Sequence, residues 1–232
     1  MPRAPIPEIR KLWRWNFDPS RPNVYRGWFP AQAGQATHKE GIDMGPGLAY
    51  GARVVDATDP LREATPLPPE AALPGGHAQA RSDYLARTRL ALAPMHALAR
   101  SLGLPENHFD AAFDPGVSTL RLLHYPVRPA GSLDGVPTDK AWATHQDGRR
   151  YMLARAHVDS GFITLLAQDG VEGLQAQHRD GHWIEVPPQE GSLAVNVGKV
   201  LELGAIRTRF LAQRGIAHLR TPRAAAAACA DH

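Results

Sequence analysis

The residues of this sequence best suited to chemistry are His157 and Asp159, which stand two positions apart. On a β-strand, side chains at positions i and i+2 point to the same face, so this imidazole and this carboxylate can converge on one ion. Two histidines and one carboxylate bind Fe(II) in non-haem oxygenases and leave coordination positions open. A His-x-Asp spacing is also common in surface turns. It therefore predicts a metal site only if the surrounding elements position the pair.

The elements around this pair are predicted to be short strands separated by turns. The Asp180-Gly181 pair is a β-hairpin signal, and Pro126 ends the first of these strands. Closely spaced short strands with turn signals are typical of a β-sandwich or barrel, and a jelly roll is one such architecture. The predicted strands are 119–125, 151–155, 163–168, 173–178, 183–186 and 192–197.

The first part of the chain follows a different pattern. Residues 1–80 are rich in Pro and Gly and show little periodicity, whereas 82–102 predicts a helix that Ser82 caps and Gly103 ends. Pro94 is expected to kink this helix. Its predicted apolar face consists of Leu85, Leu92, Met95, Ala99 and Leu102. The fold class predicted from these patterns is mainly β with flanking helices.

Composition excludes several classes of protein. The net charge is only +3 and the basic residues are scattered, so no interface for nucleic acid is predicted. The single cysteine, Cys229, excludes an internal disulfide framework and a cysteine zinc site. No apolar run reaches the length of a membrane span, and no secretory signal is visible. These features predict a cytoplasmic protein with no membrane partner.

The pair His157 and Asp159 belongs to a longer segment that runs from Ala156 to Leu166. Further segments stand around it in the chain, at 26–30, 39–43, 120–126, 173–175, 183–188 and 195–198. Together these segments resemble the isopenicillin N synthase-like family of 2-oxoglutarate/Fe(II) dioxygenases. They occur in the order and at the spacing of that family, and the resemblance extends over roughly residues 21–202.

The resemblance implies a double-stranded β-helix, or jelly roll. Residues 119–202 would form its core, 1–118 a partial N-terminal region, and 203–232 a divergent C-terminal tail. It also implies Fe(II), dioxygen and 2-oxoglutarate, which is decarboxylated to succinate while a small organic substrate is hydroxylated, desaturated or cyclised. His157 and Asp159 would be two of the iron ligands. The prime substrate and the oligomeric state are not specified.

The remaining site residues follow from the resemblance with some departures. His218 would be the third iron ligand, although Leu219 follows it where the family has Arg-Val. The family's Arg-x-Ser binds the distal carboxylate of 2-oxoglutarate. This sequence has only alanine at that position, and Arg220 and Arg223 are nearby substitutes at best. His124 lies where many relatives place a tyrosine near the cosubstrate, and a histidine there could donate a hydrogen bond to a carboxylate. The alternative is that His124 is a packed core histidine. The departures predict that the chain is incomplete at both ends, with a gene-model error or frameshift after Glu202.

Other functions remain open at this point. The chain could be a ferrous oxidase that does not use 2-oxoglutarate, or a jelly roll that binds metal weakly or not at all. A third alternative is a zinc hydrolase, because zinc also binds His and Asp. The sequence offers no clear general base near these ligands, which argues against this alternative. Thr164 is expected to be structural and Asn196 to satisfy backbone groups near the site. Surface positions rather than ligand roles are expected for His38, His77, His108, His145, His178 and His182.

Overall fold

The computed structural model describes residues 9–32, 34–145, 148–205 and 216–220. Its strands are β1 Gly27–Phe29, β2 Glu40–Met44, β3 Leu120–His124, β4 Trp142–His145, β5 Gly148–His157, β6 Ile163–Leu166, β7 Leu174–Gln177, β8 Trp183–Glu185, β9 Ala194–Val197 and β10 Ile216–Arg220. Its α-helices are Gly47–Tyr50, Gly76–Ser101, Thr138–Ala141 and Lys199–Ala205, with 3-10 turns at Ala52–Val54 and Asp110–Ala112.

The described residues divide into two compact units, the first within Met1–Pro30 and Glu40–His124 and the second within Ala31–Lys39 and Tyr125–His232. This grouping places β3 in the first unit. The domain boundaries implied by the family resemblance stay a prediction. Each unit is described below by itself.

The first unit contains a three-stranded antiparallel sheet in the order β1-β2-β3 and the long helix Gly76–Ser101. The helix begins six residues before Ser82, and Pro94 lies inside it. Met95 and Ala99 are buried as predicted, and Tyr84 and Ala91 complete the buried face at the same helical spacing. No helix among the described residues combines the length and the apolar character needed to cross a membrane.

Buried charges hold the first unit together. Asp43, on β2, is fully buried and forms ion pairs with Arg14 and with Arg121, whose Nε and Nη2 lie 2.5 and 2.7 Å from its two carboxylate oxygens. Arg121 faces Asp43 in the register of β2 and β3. Since a buried carboxylate is stable only when it is paired and hydrogen-bonded, this contact couples the sheet to the segment that carries Arg14.

The second unit contains two antiparallel sheets. One has five strands in the order β4-β5-β10-β7-β8, and the other pairs β6 with β9. Successive strands pass from one sheet to the other, from β5 to β6 and from β6 to β7, which is the pattern of a jelly roll. All five strands predicted after residue 150 are present, and Asp180-Gly181 lies in the β7–β8 hairpin as expected.

Two strands of the five-stranded sheet were not predicted from the sequence. β4 lies between the predicted strands 119–125 and 151–155, and β10 lies in the region expected to be a divergent tail. β10 pairs with β5 on one side and with β7 on the other. The strand that carries His218 is therefore hydrogen-bonded to the strand that ends at His157.

Candidate metal centre

His157 is the last residue of β5, and Asp159 lies two positions further, in the connection to β6. The Nε2 atom of His157 is 3.5 Å from the Oδ1 atom of Asp159. Two ligand atoms bound at right angles to one ion, each at ~2.1 Å, are ~3 Å apart. The pair thus needs only a small adjustment to bind one metal ion from two adjacent positions.

The orientation of His157 leaves one ring nitrogen available. Its Nδ1 atom lies 2.7 Å from the carbonyl oxygen of Arg155. A carbonyl can only accept a hydrogen bond, so Nδ1 carries the proton. In the neutral ring, Nε2 then has a free lone pair on the side of Asp159. This contact to a backbone carbonyl is the kind that fixes the tautomer and the orientation of metal-binding histidines.

Asp159 is held by the two-stranded sheet. Its Oδ2 atom accepts hydrogen bonds from Thr164 Oγ1 at 2.5 Å and from Asn196 Nδ2 at 2.8 Å. Thr164 and Asn196 are opposite each other in the register of β6 and β9. Both partners bind the same carboxylate oxygen, so Oδ1 is left facing His157. The side chain is 24% exposed, which keeps it accessible to an ion.

The backbone around Asp159 is held at close range by the segment after β9. Lys199 N–H donates to the Asp159 carbonyl at 2.7 Å, and Gly198 N–H donates to the Phe162 carbonyl at 2.8 Å. A Cβ atom at Gly198 would lie 2.1 Å from the carbonyl oxygen of Gly161. Only glycine at position 198 therefore allows these two backbone segments to lie so close together. Their close packing holds the loop that carries Asp159 in place.

The two ionisable groups shift each other's pKa in opposite directions. The pKa of His157 is raised, chiefly by its hydrogen bond to Asp159 and against the effect of burial. The pKa of Asp159 is lowered, chiefly by His157 and further by Thr164 and Asn196, while burial opposes the shift. The carboxylate is consequently ionised throughout the physiological range, and its negative charge favours the protonated form of His157.

The other predicted site residues are placed by the structure only in part. The backbone of β10 sets His218 opposite Ala154 and Arg220 opposite Tyr151, with register shifts near His218. The side chains of β10 lie outside the described part of the structure, so both assignments stay predictions. His124 lies in the first unit, on β3, where its Nδ1 atom is 2.8 Å from Glu40 Oε1. It is largely exposed, so it is not a packed core histidine, and its predicted role toward the cosubstrate also stays a prediction.

Thr164 and Asn196 contact the candidate pair in a way that the sequence did not predict. Thr164 was expected to be structural, and Asn196 was expected to satisfy backbone groups. In the structure both bind the carboxylate of Asp159. Each could be placed on a strand, but the cross-strand register that brings them to one carboxylate is not visible in a single sequence.

The fold and the pair together define a class of protein. A jelly roll that presents a His-x-Asp pair at the end of a strand, beside a strand with a further histidine, has the framework of a mononuclear non-haem iron oxygenase. The 2OG-Fe(II) oxygenase superfamily matches residues 112–207 of the chain. A proline hydroxylase of Petromyces alliaceus is 31% identical over 249 aligned positions, which cover 92% of this chain and 70% of the relative. The chain belongs to the 2OG-Fe(II) oxygenase superfamily.

Two further relatives support this membership. A 2-oxoglutarate-dependent dioxygenase of Aspergillus flavus is 36% identical over 72% of this chain, and isopenicillin N synthase of Streptomyces clavuligerus is 29% identical over 78%. The chain spans only 41% and 53% of the lengths of these two proteins. The resemblance to the isopenicillin N synthase-like family is thus confirmed, while the activity of the whole protein is a matter for proposal.

Solved structures confirm the jelly-roll fold. A 2OG-Fe(II) oxygenase family protein from Caulobacter crescentus superposes with a TM-score of 0.64 at 26% identity, covering 86% of this chain and 59% of that protein. A full-length Neurospora crassa protein, solved in complex with alpha-KG, superposes with a TM-score of 0.69 at 24% identity, covering 94% and 61%. The fold predicted from the resemblance is therefore correct.

Proposed function

We propose that this chain is the core of an Fe(II)- and 2-oxoglutarate-dependent dioxygenase that oxidises a small organic substrate. The products from the cosubstrate would be succinate and carbon dioxide. The observation that carries the proposal is the pair of available ligand atoms, His157 Nε2 and Asp159 Oδ1, 3.5 Å apart. An imidazole and a carboxylate that are both partly exposed match the ligands that such enzymes use for Fe(II).

The residues of the chain divide into ligands and residues that position them. His157, Asp159 and His218 would hold the iron, and Fe(II), when bound, supplies the redox chemistry with dioxygen and 2-oxoglutarate. A hydrogen bond to the carbonyl of Arg155 orients the His157 ring, while hydrogen bonds from Thr164 and Asn196 orient the Asp159 carboxylate. His124 and Arg220 are proposed to bind the carboxylates of the cosubstrate. A cytoplasmic location and the absence of a nucleic-acid partner stay predictions.

Succinate formation tests this function without knowledge of the prime substrate. The purified chain is incubated with Fe(II), ascorbate, oxygen and 2-oxoglutarate, and slow uncoupled turnover is measured as succinate. Succinate that depends on iron and is lost in His157→Ala supports the proposal. Oxygen uptake without succinate would favour a ferrous oxidase that does not use 2-oxoglutarate, and the absence of both would favour a catalytically incomplete jelly roll.

The hydrogen bonds that orient the Asp159 carboxylate are expected to increase the affinity for iron. Asn196→Ala removes the hydrogen bond to Oδ2 while leaving both proposed ligands in place, so the carboxylate can rotate. Such partners typically contribute 10–100-fold to metal affinity, and we expect Asn196→Ala to raise the dissociation constant for Fe(II) by about 10-fold. Anaerobic titration measures the effect.

Three further variants sharpen this measurement. Thr164→Val removes the second contact and is expected to act in the same direction, whereas Thr164→Ser keeps the hydroxyl and should stay near wild type. Val195, beside Asn196 on β9, is exposed and serves as the control in Val195→Ala. Wild-type affinity in both Asn196→Ala and Thr164→Val would show that these contacts do not position the carboxylate.

Iron affinity is also expected to fall as the pH is lowered. The pKa of His157 is raised above its ordinary value of 6.5 in the metal-free protein, and this ring must lose its proton to bind the ion. The dissociation constant for Fe(II) should therefore increase about tenfold for each pH unit below the pKa of His157, and more steeply where His218 also loses a proton. Asp159 stays ionised over this range because its pKa is lowered. Anaerobic titrations between about pH 5.5 and 7.5 test this; an affinity independent of pH would show that His157 is not a ligand.

A further inference from the structure

The β7–β8 hairpin carries a second set of ligand-type side chains, in its turn at residues 178–182. His178 N–H donates to the His182 carbonyl at 2.8 Å, and Gly181 N–H donates to the His178 carbonyl at 3.0 Å. Gly181 adopts a φ of +98°, which favours glycine there. These backbone contacts close the turn and set the two histidines side by side at its base.

The histidine rings lie against each other with Asp180 at their edges. The ring centroids are 4.6 Å apart, with an interplanar angle of 26°. Asp180 Oδ1 lies 3.1 Å from His178 Nδ1, is in close contact with His182 Nδ1, and accepts the backbone N–H of His182 at 3.1 Å. The pKa of Asp180 is lowered to about 2, chiefly by that backbone hydrogen bond. The carboxylate is therefore ionised and oriented toward both rings.

We propose that this turn binds a divalent transition-metal ion such as Zn²⁺, Ni²⁺ or Cu²⁺ through His178, Asp180 and His182. One ligand atom from each residue lies within 4.8 Å of the other two. Ligand atoms bound to one ion at ~2.1 Å lie at most ~4.2 Å apart, so rotation of these exposed side chains is enough to close the site. Two imidazoles among three ligands favour these ions over Mg²⁺ and Ca²⁺, which prefer oxygen.

This site is separate from the pair His157 and Asp159. It offers the same kinds of ligand, two imidazoles and one carboxylate, but all three side chains are exposed. An open turn provides no enclosed space that could exclude water from a substrate. The inference therefore concerns metal binding alone, and it predicts that the chain can take up one ion more than the proposed iron centre accounts for.

The test is the number of ions bound by a chain whose proposed iron centre has been removed. The double variant His157→Ala/Asp159→Ala is titrated with Ni²⁺ by calorimetry, and bound nickel is counted by elemental analysis after gel filtration. We expect one ion for each chain in this background. Adding His178→Ala and His182→Ala should abolish that binding, and adding Asp180→Asn should weaken it at least tenfold.

A matched control and a spectroscopic readout make the result decisive. His108→Ala removes an exposed histidine elsewhere and should leave the bound ion in place. Cu²⁺ in the double variant should give an electron paramagnetic resonance spectrum with coupling to two nitrogens, lost with His178→Ala/His182→Ala. No bound ion in the double variant, or one that survives loss of both hairpin histidines, would overturn the proposal. Since the proposed iron centre is absent from every arm, neither result depends on the proposed oxidation.

Discussion

Asp159→Ala is expected to lower the affinity for Fe(II) by more than 100-fold and to abolish succinate formation. The substitution removes the only carboxylate among the three proposed protein ligands, and with it a negative charge that offsets the ion. Loss of residues that merely position a ligand already costs about 10–100-fold, so loss of the ligand itself should exceed that range. Affinity is measured by anaerobic Fe(II) titration and turnover by succinate formation.

Controls separate this effect from a general loss of structure. Asp169→Ala removes an exposed carboxylate ten positions further along the chain and should retain wild-type iron affinity. Fe(II) should raise the melting temperature of the wild type and of Asp169→Ala, but not that of Asp159→Ala. If Asp159→Ala still bound Fe(II) with nearly wild-type affinity, Asp159 would not be a ligand.

Asp43→Ala is expected to reduce the free energy of unfolding by about 3–5 kcal/mol, the range for breaking a buried ion pair by removing one partner. Asp43 is fully buried, and its carboxylate contacts the guanidinium groups of Arg14 and Arg121. Alanine would leave these cations facing a site without a negative charge. Urea unfolding followed by far-ultraviolet circular dichroism measures the change.

The matched control for Asp43 is an ion pair on the surface of the same unit. Arg100 and Glu106 form such a pair, and both side chains are more than half exposed. Glu106→Ala should cost no more than about 1 kcal/mol, because water replaces the lost contact. Equal costs for Asp43→Ala and Glu106→Ala would contradict the view that the buried network stabilises the first unit.

The sequence predicted those parts of the fold that local patterns specify. The strands after residue 150 and the Asp180-Gly181 hairpin follow from alternation and turn residues, and the structure confirms them. The start of the long helix was predicted wrongly at Ser82, because a helix can begin without a side-chain cap, here after Gly75 in a left-handed conformation. β10 was missed because five residues with a mixed pattern become a strand only between two partners.

The candidate site was predictable as far as its residues are close in sequence. His157 and Asp159 were found from their spacing and from the family resemblance, and the structure places their ligand atoms 3.5 Å apart. Thr164 and Asn196 could not be assigned, because their shared contact to Asp159 depends on the register of β6 and β9. His178 and His182 were expected to be surface residues rather than ligands. Both are exposed, and the closed hairpin turn brings their rings together.

The most direct test of the central claim is an anaerobic Fe(II) titration with and without 2-oxoglutarate, observed as the weak visible charge-transfer band of the iron–cosubstrate chelate. The proposed function predicts a band that requires both additions and is lost in His157→Ala and in His218→Ala. Metal bound at the hairpin turn would not produce this pattern, because that proposed site includes neither His157 nor His218. A folded chain that shows no band when iron and 2-oxoglutarate are both present would contradict the proposed 2-oxoglutarate-dependent centre.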